Sequence, residues 1–236
     1  MLEELFAIER FPSLDQNHVF IRKVTSVLKT YAILVAAIFV AAPIILLADK
    51  FVVNVLHHKS LSNQNKQTFQ AMFHKLGFLW SYIFAAVFAP FFEESIFRLP
   101  LSFKKQHVVI AFFIALIYFS GSFFHPKDIM LRVAIEIAIA AVIYVVCLLL
   151  IPNEDLAVSA KNKKRWIIAS ICLFGLMHIL NFHPIDITLL WIYPLYVIPQ
   201  LVMGWGLTYM RFKNGFIWGI VLHSLINSVF VLLAYH

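Results

Sequence analysis

The apolar positions of this chain fall into long unbroken runs separated by short polar clusters. Seven such runs lie at about 26–48, 77–102, 107–124, 129–151, 165–182, 187–210 and 214–234. Most are long enough, at 1.5 Å per residue, to cross the ≈ 30 Å hydrocarbon core of a bilayer as a helix. Lysine, arginine, proline or a polar cluster bounds each one. The first run begins some 25 residues into the chain and exceeds the apolar core of a cleaved leader, so it reads as a retained helix. Pro43 in the first run and Pro194 and Pro199 in the sixth predict bends, since each removes a backbone donor.

Between the first two runs, 49–75 is the longest polar stretch, with Lys50, Lys59, Lys66 and Lys75 among several amide side chains. It reads as a hydrophilic connection. Val52, Val53, Val55, Leu56, Phe69, Met72 and Phe73 make its ends amphipathic, which places part of it on the bilayer surface and leaves room for an eighth helix. The expected fold is therefore all-α, a polytopic transmembrane bundle of about seven spans. Residues 1–76 form an N-terminal segment, first helix and polar loop, and 77–236 form the core.

Composition agrees. With 62% apolar and 13% charged residues, the chain falls outside the soluble globular class. The formal charge of +7 does not point to nucleic acid, because the basic residues sit mainly in the connections between runs. Arg10, Arg22, Lys23, Lys29, Lys104, Lys105, Lys161, Lys163, Lys164, Arg165, Arg211 and Lys213 collect on one side, which predicts a cytoplasmic N-terminus. Cys147 and Cys172 lie in apolar runs without a CxxC pair and read as buried, inert thiols.

Against this background the ionisable residues inside the runs stand out. Glu93, Glu94 and Arg98 lie in the second, His178 in the fifth, and His223 with Asn227 in the seventh. Charges in hydrocarbon are costly and mark function. Glu94 and Arg98, four apart, share a helix face and can pair, which leaves Glu93 facing elsewhere. His223 and Asn227 share a face in the same way. Helical rise puts Glu93 and His223 each about 13 Å from the inner end of its run, and His178 and Asn227 about 20 Å, near enough in depth to meet in one cavity. A partly desolvated carboxylate suits base catalysis, and an imidazole with an amide can present donors to developing negative charge. Arg132 and Glu136 read as a structural pair near the membrane surface.

EExxxR at Glu93 to Arg98, FxxxH at Phe174 to His178 and HxxxN at His223 to Asn227, in this order on separate apolar runs, resemble the CPBP family. That family holds the CAAX prenyl proteases of the Rce1 type and the bacterial bacteriocin-processing or Abi proteins, and the resemblance covers about 77–234. It implies an intramembrane endopeptidase in which Glu93 activates a water, His178 holds or polarises it, and His223 and Asn227 stabilise the oxyanion. Glu94 and Arg98 would support them. The implied partners are a peptide or protein substrate, lipidated in the prenyl-protease case, and the bilayer.

Zinc stays open: Glu93, His178 and His223 are acceptable ligands, but HExxH is absent, and the family has been described both as metalloproteases and as glutamate-dependent proteases. Two other classes accommodate the same residues. One is a non-proteolytic scaffold or peptide-immunity protein with the same fold. The other is a proton-coupled transporter, for which the sequence offers no inverted repeat.

Overall fold

The computed structural model describes residues 2–14, 16, 18–120, 129–150 and 158–235, and every regular element among them is helical. Besides four short 3₁₀ turns, these are in chain order α1 (Leu2–Phe6), α2 (Phe20–Asn54), α3 (Leu61–Ile83), a π-helical turn (Phe84–Phe88), α4 (Ala89–Phe97), α5 (Lys105–Ser120), α6 (Ile129–Leu150), α7 (Ala160–Met177), α8 (Tyr193–Tyr196), α9 (Ile198–Asn214) and α10 (Phe216–Tyr235). Three helical stretches among the described residues are long and apolar enough to cross a membrane: Phe20–Asn54, Leu61–Phe97 and Phe216–Tyr235. The expected runs 107–124 and 129–151 extend into stretches outside the described residues. So do the side chains of Arg132, Glu136 and Cys147.

Two expectations about the helices change. The stretch 49–75 is not a loop: α2 continues to Asn54 and α3 starts at Leu61. Its amide and lysine side chains are compatible with a helix once the ends are satisfied, and here they are. The Ser60 hydroxyl caps α3 by accepting from Asn63 N at 3.0 Å and donates to Asp49 Oδ2 at 2.7 Å, while Ser62 N donates to Asp49 Oδ1. Gly77, at φ 73, breaks the helical path where the polar part meets the apolar one, a backbone position only glycine adopts without strain.

The run 187–210 is likewise not one bent helix. Pro194 opens α8 and Pro199 opens α9. In the first turn a proline's missing N–H has no intrahelical partner to lose, so the two prolines start helices and do not kink one.

Helix α9 is the hub of the bundle, packed against α2, α7 and α10. Met203, Leu207 and Met210 join Val27 and Leu34 of α2, Phe174 of α7 and Leu222 and Ile226 of α10 in the central core. One end is closed by Val52, Leu61, Phe182, Tyr193 and Tyr196. The other is closed by the N-terminal segment, where Leu5, Ile8 and Phe11 pack on Ile167, Tyr209 and Phe212. Trp205 Nε1 donates to Leu5 O at 2.6 Å, and Lys213 Nζ lies 3.0 Å from Glu4 Oε2. Cys172, expected inside, is exposed on the outer surface of α7, because an apolar run in a membrane protein has a lipid-facing side as well as a core side.

Close approach at the hub depends on small residues. A Cβ at Gly204 would stand 3.0 Å from Phe174 Cδ1, 3.3 Å from Arg98 Nη2 and 3.4 Å from Ile171 O. None of these neighbours is a free side-chain end, so Gly204→Ala is expected to destabilise the fold by about 1–3 kcal/mol through overpacking. A lowered thermal midpoint of the purified protein in detergent is the readout, and an unchanged midpoint contradicts the packing.

Candidate active site

Three helices bring the ionisable residues together. Glu93 and Glu94 sit in the last turns of α4, with Arg98 at its C-terminal cap. His178 caps α7 and opens a single 3₁₀ turn, His178–Asn181. His223 lies midway along α10, which packs against α4. Four of the five are buried, Glu94 and Arg98 at 0% exposure, His223 at 1% and Glu93 at 7%, while the His178 side chain is 16% exposed.

Arg98 is the most heavily partnered of the group. Its Nη1 is 3.2 Å from Glu94 Oε1, Nη2 donates to Gly204 O at 3.2 Å, and the guanidinium carbon lies 4.0 Å over the Phe174 ring. The Nη1 contact with Glu94 meets the distance of an ion pair but not the angles of a hydrogen bond. It is therefore mainly charge compensation. The i, i+4 pair expected from the sequence thus forms, and Phe174 serves as a platform. The Phe174 ring also meets His178 and His223 edge-on, with centroids at 4.9 and 5.6 Å.

Glu94 has a second partner that spacing within one helix does not reveal. His223 Nδ1 is 3.0 Å from Glu94 Oε1, so the carboxylate crosses to α10 as well as holding Arg98. With the carboxylate as acceptor, the Nδ1 of His223 carries the proton. His178 is fixed in the same tautomer: its Nδ1 lies 2.8 Å from Phe174 O, and a carbonyl only accepts. In the neutral form each imidazole then presents a bare Nε2 lone pair.

Those lone pairs face the same atom. Glu93 Oε2 is 3.9 Å from His178 Nε2 and 3.8 Å from His223 Nε2, and it has no hydrogen-bond partner of its own. Three acceptors turned toward one another in a buried site are mutually repulsive unless a donor or a cation lies between them. Two hydrogen bonds of about 2.8 Å meeting at about 90° span about 4.0 Å, so the separations match those that a bridging water would set. The donor types also suit zinc, and metal-bound imidazoles have their second nitrogen engaged as these do. The spacing is too wide for it, since ligands about 2.0–2.1 Å from zinc at the tetrahedral angle lie about 3.3 Å apart. No group of three or more His, Cys, Asp or Glu side chains among the described residues closes on a metal position.

Asn227 does not join the three. Its Nδ2 donates to Ala85 O in the π turn at 2.8 Å. Two residues that sequence reasoning passed over do contribute. Arg211, read as a loop cation, is 8% exposed and its Nε donates to Arg98 O at 3.0 Å. The Tyr118 hydroxyl of α5 faces the Glu93 carboxylate. Neither belongs to a spaced pattern that would have singled it out.

An all-helical protein with membrane-crossing helices and a buried carboxylate–imidazole cluster belongs to the intramembrane class. The particular family follows from comparison: the family description "Type II CAAX prenyl endopeptidase Rce1-like" matches residues 75–229, about two thirds of the chain, and the chain belongs to that family. The match spans every site residue named above, and it makes the chain an integral membrane protein of a protease family with a peptide or protein substrate. No curated protein and no solved structure matches.

The two glutamates are expected to separate in their effects. Glu94→Gln leaves Arg98 buried without its counter-charge, which typically costs about 3–5 kcal/mol. Glu93→Gln breaks no hydrogen bond of Oε2 and is expected to leave stability near wild type. Detergent-phase unfolding of the two variants, compared at one pH, measures this, and equal losses contradict the division of labour.

Proposed function

We propose that this protein is an intramembrane endopeptidase in which Glu93, His178 and His223 hold the water that attacks a peptide bond. The observation that carries the reading is the spacing of three acceptor atoms, with Glu93 Oε2 lying 3.9 Å from His178 Nε2 and 3.8 Å from His223 Nε2 and without a hydrogen-bond partner. A water there donates to Glu93 Oε2 and to one Nε2. As its oxygen attacks the carbonyl carbon, its proton passes to Glu93, and the carbonyl becomes an oxyanion. Collapse of that intermediate breaks the C–N bond, and Glu93 returns the proton to the departing amine.

The water is aimed before substrate arrives, because Glu94 holds His223, and Phe174 O holds His178, each in a single tautomer. The second N–H of Asn227, whose first is on Ala85 O, supplies a donor to the oxyanion. Glu94 and Arg98 act by keeping His223 in place.

We place this core, 77–236, in a bundle of about seven spans with the N-terminus in the cytoplasm, on the strength of the lysine and arginine bias. Residues 1–76 precede it as a separate N-terminal part. The substrate class suggested by the family is a protein ending in a prenylated CAAX segment, reached from within the bilayer.

The test is cleavage by protein reconstituted in phosphatidylcholine vesicles, using a quenched-fluorescent peptide that ends in a farnesylated cysteine and three further residues. Glu93→Gln is expected to lower the rate by about 10²–10⁴-fold, the usual contribution of a general base, and His178→Ala and His223→Ala to lower it comparably. Full activity in Glu93→Gln contradicts the mechanism. If neither wild type nor variant cleaves the peptide but both bind it, the scaffold reading takes its place. From the ligand spacing, a membrane-permeant zinc chelator is expected to leave the rate unchanged, and loss of activity restored by added zinc reverses that expectation.

A further inference from the structure

The turn ahead of α4 is π-helical for a reason visible in the sequence. Ala89 N–H donates to Phe84 O, five residues back, and not to Ala85 O, its α-helical acceptor. The next residue is Pro90, which has no N–H. The carbonyl of Ala85 therefore loses both main-chain donors that a helix offers it. One is spent on Phe84, and the other does not exist. Inside a membrane such a carbonyl must find a side chain, and the one that reaches it is Asn227, with Nδ2 at 2.8 Å.

This contact does more than satisfy a carbonyl. The two ends of an asparagine amide differ, and an acceptor at Ala85 forces the NH₂ end toward the π turn and the Oδ1 end away from it. Only one of the two Nδ2 hydrogens is used. α10 is held to the same segment by a second stitch, Tyr82 OH to Ser228 Oγ at 3.1 Å, so the position of the helix does not depend on Asn227 alone. What depends on the Ala85 carbonyl is the rotation of the Asn227 amide, one helical turn beyond His223.

We propose that Pro90 is a positioning residue: by withholding a main-chain amide from Ala85 it creates the acceptor that orients Asn227 for donation to the oxyanion. The proposal rests on the oxyanion role given to Asn227 under the proposed function. It assigns Pro90 a purpose beyond bending a helix, and it ties the π turn, which ends five residues ahead of Glu93, to the geometry of a residue on another helix.

A double-mutant cycle tests it, with wild type, Pro90→Ala, Asn227→Ala and the double variant measured for thermal midpoint and for kcat and KM on the farnesylated peptide. Alanine at 90 brings an N–H and lets the helix satisfy Ala85 itself. Pro90→Ala is then expected to lower kcat by about ten- to a hundredfold, as small misplacements of a catalytic group do, with KM unchanged. The double variant is expected to be no slower than Asn227→Ala. Asn227→Ala is expected to lower the midpoint in the wild-type background and much less beside Pro90→Ala.

Multiplicative kcat losses, or equal midpoint losses in both backgrounds, overturn the proposal. Glu93→Gln, run alongside, separates this failure from that of the protease reading. If Glu93→Gln is inactive while Asn227→Ala is fully active, only the role of Pro90 and Asn227 falls. If Glu93→Gln is itself fully active, the protease reading falls and takes this one with it.

Discussion

The bundle is built around the burial of one guanidinium. An arginine at 0% exposure inside a membrane protein is stable only when its charge is compensated, and the groups around Arg98 come from three helices, although only its Nη2 makes a hydrogen bond. α4 supplies Glu94, α9 supplies Gly204 O, and α7 supplies the face of Phe174. Gly204 has to be small so that its carbonyl can reach the guanidinium, and Phe174 has to be on α7 one turn before His178. Fixing Arg98 thereby ties α4 and α7 to α9, and Glu94 extends the constraint to His223 on α10.

From that constraint the chemistry follows with few further assumptions. Glu94, already pinned by Arg98, holds His223 in one tautomer, and the backbone of α7 holds His178 in the same one. Two lone pairs and the free oxygen of Glu93 are left pointing at a common point, 3.8 and 3.9 Å apart. In a hydrocarbon setting such an arrangement is costly unless something with protons or positive charge occupies the point. The proposed function puts a water there, and the chain belongs to a family of endopeptidases.

Much of this was legible in the residues themselves. The all-helical class came from the apolar runs, and the juxtaposition of Glu93, His178 and His223 came from charges placed where charges are costly. What escaped the sequence had a common cause: it depended on contacts between helices or on the ends of helices. Nothing in the spacing of Glu94 says that it also reaches His223, because spacing reports only neighbours on one helix. Asn227 shares a face with His223 as predicted, yet its amide is claimed by a carbonyl that a π turn and Pro90 leave bare. The stretch 49–75 looked like a loop because it is polar, whereas polarity decides where a helix lies and capping decides whether it forms. Pro194 and Pro199 were read as kinks because the pattern alone does not show that a helix begins at each.

The central claim is that one small molecule or ion is shared by three acceptor atoms. It is tested most directly by an experimental density map of the protein in lipid, detailed enough to show ordered water. The predicted result is a single water-sized peak within about 2.6–3.2 Å of Glu93 Oε2 and of at least one Nε2 of His178 and His223, with both rings facing it. A His178 ring turned toward lipid, or a direct hydrogen bond from either imidazole to Glu93 with no room for an atom between them, would contradict it.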